Sequence, residues 1–181
     1  MSPFMIDLFS GLGGASAAMR DRGWTVLTVD NEKKFKPDIV ADISELSLIT
    51  AEPVDLLWAS PPCTEFSAMS MPWSRAKRGG APPGLELVDA AVCLVDELQP
   101  RWWVIENVRG ARPYLKHLPF IGHAGPVYLW GEMPDGYTAD LRALRVAPYK
   151  EKITGKRPDL RSKIPREISE LTAQIIEDSI A

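Results

Sequence analysis

Short apolar segments recur between Phe4 and Ile105, and each ends abruptly in a glycine-rich or polar turn. Their length and lack of polar interruption predict strands that are buried on both faces of a sheet. Two longer segments between them have the composition or the apolar spacing of helices. This alternation predicts an α/β fold with a doubly wound, mostly parallel sheet of the Rossmann-like type. The predicted strands are 4–9, 24–29, 38–41, 54–59 and 101–105, and the predicted helices are 15–22 and 85–98.

The part of the chain that follows Gly110 carries a weaker signal. Residues 127–130 could form a further strand, whereas 131–161 is rich in proline, glycine and charge and is expected to form little regular structure. Apolar residues at helical spacing then predict a closing helix over 165–180, with Pro165 in its first turn.

Composition limits the class of protein. The 181 residues, 45% hydrophobic and 25% charged, suit one compact domain and exclude global disorder or a coiled coil. No apolar run reaches the roughly 18–20 residues of a membrane span, and the N-terminal segment does not resemble a signal peptide. With only Cys63 and Cys93, neither a disulfide framework nor a cysteine-built zinc site is expected. These features predict a cytoplasmic location, no membrane partner and no bound metal.

Charge is strongly segregated although the formal net charge is only −3. Residues 71–84 contain three basic and no acidic side chains, and residues 141–166 contain nine basic side chains against two acidic ones. Two basic islands on an acidic body could form a nucleic-acid footprint. The alternative is a solvated, flexible face, which is the common role of a charge run.

Residues 10–14 (Ser-Gly-Leu-Gly-Gly) form a predicted turn between the first strand and the first helix. Its glycines would let the backbone approach a ligand, and Asp30, at the end of the second strand, suits ribose hydroxyls. Together they indicate a site for a nucleoside-containing cofactor. Because the spacing is Gly-x-Gly-Gly rather than Gly-x-Gly-x-x-Gly, NAD is disfavoured. A tight packing turn without a ligand is the alternative.

Cys63 follows two prolines at the end of a predicted strand, where it could act as a nucleophile if its pKa were lowered. Glu106, at the end of the next apolar strand, could deliver or hold a proton. A Cys-His protease is a weaker interpretation, since neither histidine lies in a recognisable motif. Glu106 and Asn107 could instead be a polar strand cap. Cys93, inside the second predicted helix, is expected to be a small buried apolar residue.

Three blocks of the chain, in this order, resemble the cytosine-C5 DNA methyltransferases: Asp7-Leu-Phe-Ser-Gly-Leu-Gly-Gly14, Ser60-Pro-Pro-Cys63 and Glu106-Asn-Val108. The resemblance covers about residues 4–110, and the terminal segment is similar to short, phage-type members. It implies the methyltransferase fold that binds S-adenosyl-L-methionine (SAM). The implied division is a SAM-binding catalytic core (1–130), a reduced, basic recognition-like segment (131–164) and a C-terminal helix packed on the core (165–181).

The resemblance implies that SAM is the cofactor and methyl donor. Phe9 and the glycine turn would cradle its methionine end, and Asp30 would bind the ribose hydroxyls. Asp42 and Ile43 would meet the adenine. The implied cofactor-binding residues are Phe9, Ser10, Gly11, Gly13, Gly14, Asp30, Asp42, Ile43 and Pro61.

In that family's mechanism the Cys63 thiolate would attack C6 of a cytosine while Glu106 protonates or hydrogen-bonds N3, so that C5 can accept the methyl group. Pro62 would position the base, and Asn107 would shape the backbone. The target would leave the duplex or be single-stranded, because the stacked base is out of reach. DNA is the implied partner, and the same chemistry on RNA or a nucleotide is left open.

Basic residues near the implied site are expected to contact DNA phosphates. A loop over 64–83 would close over DNA, the alternative being a mobile surface segment. The implied DNA-binding residues are Arg75, Lys77 and Arg78 in this loop, and Arg109 and Arg112 after Glu106.

The chain departs from the family where targets are recognised. Full-length relatives carry a Gln-x-Arg-x-Arg block, whereas residues 125–131 (Gly-Pro-Val-Tyr-Leu-Trp-Gly) contain no arginine. The stretch between Gly131 and the closing motif at Arg161 is too short for a recognition domain, so a protein partner could supply recognition. A non-catalytic DNA-binding or regulatory protein that keeps the methyltransferase core is therefore the second interpretation.

Overall fold

The chain forms one seven-stranded sheet with helices on both faces. The computed structural model describes residues 2–67, 79, 82–146 and 163–181. The strands are β1 (Phe4–Leu8), β2 (Thr25–Asp30), β3 (Ile39–Val40), β4 (Leu56–Ala59), β5 (Trp102–Asn107), β6 (Phe120–Ala124) and β7 (Val127–Glu132). The helices are α1 (Ala17–Asp21), α2 (Glu86–Leu98), α3 (Tyr137–Ala143) and α4 (Arg166–Ile180).

The strand order is β3-β2-β1-β4-β5-β7-β6. Among the described strands, β7 runs opposite to the other six. The order in which successive strands are added to the sheet reverses between β1 and β4, which are neighbours in the sheet but distant in sequence. Separate apolar cores fill the two faces, one beneath α1, α3 and α4 and the other beneath α2. The predicted α/β fold with a doubly wound, mostly parallel sheet is confirmed.

Strand register brings the polar motifs to one edge of the sheet. Leu8 is paired with Val29 on one side and with Ala59 on the other, and Ala59 is paired with Ile105. These residues are at or next to the carboxyl ends of four parallel strands, so the turns that follow them share one edge. In open α/β sheets, ligands bind at that edge beside the point where the strand order reverses.

The C-terminal helix α4 is joined to α1 by buried polar contacts. The Ser169 hydroxyl donates to the carbonyl oxygen of Ala15 at 2.6 Å and accepts from the amide of Ala18 at 3.0 Å. It thereby satisfies a backbone donor in the first turn of α1, where helix amides lack partners within the helix. About one turn further along α4, the Thr172 hydroxyl lies 2.8 Å from the hydroxyl of Tyr137 in α3.

Three sequence predictions were wrong in detail. Cys93 is exposed, because the buried face of α2 carries Val88, Ala91, Leu94 and Val95, and position 93 faces away from it. Helix α3 forms within a segment expected to be irregular, directly after Gly136 at φ +90°. Strand β6 was not predicted; its pairing with β7 is irregular between Phe120 and Gly122. Within the described residues, no helix is long and apolar enough to span a membrane.

Asp7 is a carboxyl group buried at the centre of the sheet in β1. The Ser16 hydroxyl donates to its Oδ2 at 2.6 Å, so Ser16 is not available to cap α1. Burial raises the pKa of Asp7 to about 7, against the smaller opposing effect of the Ser16 hydrogen bond. Between about pH 4 and pH 7, Asp7 therefore keeps its proton in the native protein, whereas in the unfolded chain, with an ordinary pKa of 3.8, it has released it.

We predict that Asp7→Asn weakens the pH dependence of stability. In the parent, the contribution of Asp7 to the free energy of unfolding is fully present below about pH 4 and is lost as the pH rises to about 7. The loss amounts to a few kcal/mol in order of magnitude. An asparagine does not titrate, and its side-chain oxygen can still accept from Ser16. Urea unfolding between roughly pH 5 and 8 measures this. Parallel curves for parent and variant would contradict the prediction.

Candidate active site

The turn after β1 has the backbone that its glycines permit. Gly11 and Gly13 have φ of +49° and +67°, and the amide of Gly13 donates to the carbonyl oxygen of Ser10 at 2.8 Å. Phe9 also lies in the left-handed region, at φ +55°, which is uncommon for a side chain with a Cβ. An added Cβ at Gly11 would meet only the Phe9 carbonyl oxygen, at 3.9 Å. Among the described residues, nothing therefore crowds position 11 of this turn.

Asp30 lies at the end of β2 and holds the glycine turn. Its Oδ2 accepts from the amide of Gly11 at 2.9 Å, and its Oδ1 accepts from the amide of Glu32 at 2.8 Å. The side chain is buried. A carboxylate has about four acceptor positions, so two remain for hydroxyl groups of a ligand.

Asp42 and Ile43 follow β3. The Asp42 carboxylate accepts from both the amide and the hydroxyl of Ser44, at 2.9 and 2.7 Å, and these hydrogen bonds hold its pKa below the usual range. Ile43 is buried in the core on the α2 face. The chain direction here is thus fixed by Asp42 capping a short 3-10 turn over Ile43–Glu45.

Gly14 is a glycine for a reason other than ligand binding. A Cβ at this position would lie 2.7 Å from the backbone nitrogen and 2.8 Å from the carbonyl oxygen of Ile164. The segment that precedes α4 therefore packs directly on the glycine turn. Sequence reasoning missed Ile164, and the glycine alone could not reveal which backbone it accommodates.

Two contacts hold the segment of Cys63 against the end of β5. Before Cys63, the buried Asn107 side chain donates to the carbonyl oxygen of Pro61 at 3.1 Å, and its Oδ1 accepts from the amide of Val108 at 2.9 Å. After Cys63, Gly110 lies so close to the Phe66 carbonyl that no side chain fits there. Between them, the carbonyl oxygen of Cys63 accepts from the amides of Phe66 and Ser67, each at 3.0 Å.

Cys63 and Glu106 interact electrostatically at this edge. The lowered pKa expected for a nucleophilic Cys63 is not found. Burial raises the pKa of the Cys63 thiol above its ordinary value of 9.0; the Ser67 side chain opposes this shift, and the charge of Glu106 adds to it. Burial likewise raises the pKa of Glu106 to about 7. Near neutral pH, Glu106 can therefore hold a proton, which an ordinary glutamate would not.

Ser60 is a residue that sequence reasoning left without a role. Its hydroxyl accepts from the Trp58 indole at 2.9 Å and hydrogen-bonds the Glu106 carboxyl, which lowers the pKa of Glu106 against the larger effect of burial. Because an indole can only donate, the single proton of the Ser60 hydroxyl is directed to Glu106. Its position in the Ser60-Pro-Pro-Cys63 block was the available signal.

A cleft of about 510 Å³ opens beside Cys63. Pro61 and Pro62 lie on one side, and the first turn of α2 lies on another. The glycine turn and Asp30 do not line it, whereas Pro61, which is also an implied cofactor-binding residue, does. It is lined by Pro61, Pro62, Thr64, Glu65, Phe66, Pro82, Gly84, Glu86, Leu87 and Val88.

The structure brings together all of the predicted cofactor and catalytic residues at this edge, while their roles stay predictions. Arg109 and Arg112 are exposed on the segment that follows β5. Arg75, Lys77 and Arg78 lie outside the described residues. Residues 125–131, which were expected to stand in place of the arginine block, form the turn between β6 and β7 and most of β7.

The sheet order, the glycine turn with an acidic residue beside it, and the Cys63–Glu106 pair are together the features of an α/β protein that carries a cysteine at the carboxyl edge of its sheet. Residues 4–116 match the family model for C-5 cytosine-specific DNA methylases. The chain belongs to this family. The match ends before β6, so the hairpin β6–β7 and the helices α3 and α4 lie outside it.

Two relatives and one solved structure are similar to large parts of the chain. It is 32% identical over 115 residues to a probable DNA (cytosine-5)-methyltransferase of Frog virus 3, covering 57% of this chain and 52% of that protein. It is 31% identical over 121 residues to the type II methyltransferase M.HgiGI of Herpetosiphon aurantiacus, covering 59% and 91%. The chain thus spans about half the length of the viral relative. The Entamoeba histolytica methyltransferase EhMeth superposes with a TM-score of 0.47 at 18% identity, covering 85% of this chain and 56% of that one.

We predict that Glu106→Gln lowers the pKa of Cys63, because the charge of Glu106 contributes to raising it. The Cys63 alkylation rate is measured against pH in a Cys93→Ser background, since Cys93 is exposed and would react as well. The alkylation midpoint should move to lower pH. Glu86→Gln, which removes a carboxylate from the lining of the cleft, is the matched control. An unchanged or higher midpoint in Glu106→Gln would contradict the electrostatic coupling.

We predict that Asn107→Ala destabilises the protein by about 1–3 kcal/mol, because a buried carbonyl and a partly buried amide lose their partner. Urea unfolding measures this. Ser179→Ala removes a side-chain hydrogen bond to the carbonyl oxygen of Ile176 near the end of α4 and is the control, with an expected change within about 0.5 kcal/mol. Equal losses in the two variants would show that Asn107 has no special role.

Proposed function

We propose that this protein transfers a methyl group from SAM to C5 of cytosine in DNA through a covalent bond between Cys63 and C6. The observation that carries the proposal is the pairing of Cys63 with a partly buried Glu106 whose pKa is raised to about 7. The pair lies at the carboxyl edge of the sheet in a chain that belongs to the cytosine methylase family. A thiol nucleophile beside a carboxylic acid is the pair this reaction needs.

The residues around the glycine turn fit SAM. The positive φ of Gly11 and Gly13 lets the backbone of the turn approach a ligand, and Asp30 keeps acceptor positions for the ribose hydroxyls. Asp42 and Ile43 would hold the adenine. Bound SAM would supply an electrophilic methyl group.

Cys63 and Glu106 would divide the acid–base work. The Cys63 thiol gives its proton to solvent as sulfur bonds to C6, and protonated Glu106 gives its proton to N3, which places electron density on C5. After C5 has accepted the methyl group, its hydrogen leaves as a proton to solvent. The C6–sulfur bond then breaks and its electron pair returns to Cys63, which takes up a proton from solvent, while the N3 proton returns to Glu106.

Ser60 and Asn107 would act on this pair without touching the base. The Ser60 hydroxyl, fixed by Trp58, hydrogen-bonds Glu106, and Asn107 holds the backbone on which Cys63 stands. Pro62 is exposed beside Cys63, where it would contact the base. The cytosine would be flipped from a duplex or taken from a single strand. A protein partner for sequence recognition stays a prediction.

We predict that the purified protein, given labelled SAM and mixed-sequence DNA, forms 5-methylcytosine, and that Cys63→Ser lowers the rate to background. Cys93→Ser is the matched control, and its rate should equal that of the parent because Cys93 is exposed on α2. Nucleoside mass spectrometry measures the product. Methylation that persists in Cys63→Ser would contradict the covalent step, and labelling of RNA alone would contradict the substrate.

DNA containing 5-fluorocytosine should trap the covalent step, since fluorine at C5 prevents the final proton loss. A protein–DNA adduct that survives a denaturing gel is expected for the parent and for Cys93→Ser, and none for Cys63→Ser. DNA binding without an adduct in any of the three would favour the non-catalytic DNA-binding interpretation.

A further inference from the structure

A row of four side chains runs from the end of β5 to the outer strand β6. The Arg112 guanidinium carbon lies 4.7 Å from the centroid of the Phe120 ring, and Phe120 and Tyr128 are stacked with centroids 6.3 Å apart. His123 also stacks on Tyr128, with centroids 4.7 Å apart and an interplanar angle of 13°. We call Arg112, Phe120, Tyr128 and His123 the aromatic row.

The aromatic row begins beside the candidate active site. Tyr128 in β7 is paired with Asn107 in β5, one residue beyond Glu106. Three members of the row, Arg112, Phe120 and His123, are exposed, and Phe120 keeps 40% of its surface accessible. A large apolar ring on an outer strand is ordinarily a liability, because it invites association.

The segment of chain that carries the row has charge of one sign. Residues 107–131 contain three lysines or arginines, both histidines of the chain and no acidic residue, in a protein whose net charge is −3. Arg109, Arg112 and Lys116 are all exposed. This surface therefore attracts a polyanion that carries flat apolar groups.

We propose that the aromatic row binds single-stranded DNA next to the reacting cytosine, its bases stacked on Phe120 and His123 and its phosphates held by Arg109, Arg112 and Lys116. Exposed aromatic side chains combined with cations are the usual means of holding unpaired bases without reading their sequence. The inference rests on the proposed function and names how its DNA partner is held. It also gives the chain an affinity for DNA that requires no recognition domain.

Binding of a fluorescent oligothymidylate of about a dozen nucleotides tests the row, because this probe contains no cytosine and does not depend on catalysis. Phe120→Leu should weaken binding about tenfold through loss of a stacking partner, and Phe120→Trp should bind at least as tightly as the parent. Phe35→Leu is the matched control, since Phe35 also lies 4.7 Å from a cation, Lys34, but on the β3 side of the sheet. Thermal unfolding by circular dichroism establishes that each variant is folded.

Salt dependence tests the cations separately. The triple variant Arg109→Gln, Arg112→Gln, Lys116→Gln should reduce the slope of log affinity against log salt by about 2, since each phosphate contact on a single strand contributes about 0.7. The same oligothymidylate annealed to its complement should bind more weakly than the free strand. Phe120→Leu binding as tightly as the parent, an unchanged slope in the triple variant, or preference for duplex or for oligouridylate would each overturn the proposal.

The two proposals fail separately. If the parent binds oligothymidylate but methylates no DNA, only the catalytic proposal fails. Full methylation with oligothymidylate binding unaffected by Phe120→Leu counts against the aromatic row alone.

Discussion

The hydrogen bond from the Asn107 side chain to the carbonyl oxygen of Pro61 joins segments that are 46 residues apart, and the candidate active site depends on it. Pro61 and Pro62 have no backbone N–H, so this stretch after β4 cannot continue the ladder of the sheet. The Asn107 side chain, from the neighbouring strand, donates to the Pro61 carbonyl oxygen, which no ladder hydrogen bond then needs to satisfy. The contact of Gly110 with Phe66 closes the other side of the Cys63 turn. The nucleophile candidate is thus held by the end of β5, the strand that also carries Glu106, through one buried side chain and one close backbone contact.

Sequence sufficed for the parts of the fold that one local signal determines. Apolar runs ending in polar turns predicted β1, β2, β4 and β5, because strands buried on both faces need uninterrupted apolar side chains. Strand β6 was not predicted, because its sequence, Phe-Ile-Gly-His-Ala, has no strand pattern of its own. The strand forms by pairing with β7, and that pairing is irregular. The burial of Cys93 was predicted wrongly because a wide apolar stripe on α2 does not reveal where the buried face ends; tertiary packing does.

The candidate site was predictable where a residue type carries its own chemistry, as with Cys63 and Glu106. It was not predictable where the role depends on a partner distant in sequence. Gly14 has the expected glycine but accommodates Ile164, near the other end of the chain, rather than a ligand. The acid at the end of β2, Asp30, has a second task besides any ligand, since it fixes the amide of Gly11. Ser60 was visible in its motif, yet only the direction of the Trp58 indole reveals which way its proton points.

Electrostatic charge in this protein has meaning only at the scale of a surface patch. Summed over residues 85–140, the chain is acidic, with eight acidic side chains against four basic ones. All but one of those acids belong to α2 or to residues 132–140, whereas 107–131 has none. Screening limits the reach of an exposed charge to about 8 Å at physiological salt, so the net charge of the whole chain says little about the field over one patch. The remaining acid, Glu106, is neutral over part of the physiological range because burial raises its pKa to about 7. A polyanion approaching Cys63 from the side of β6 therefore meets cations and rings while the acid at the site holds its proton.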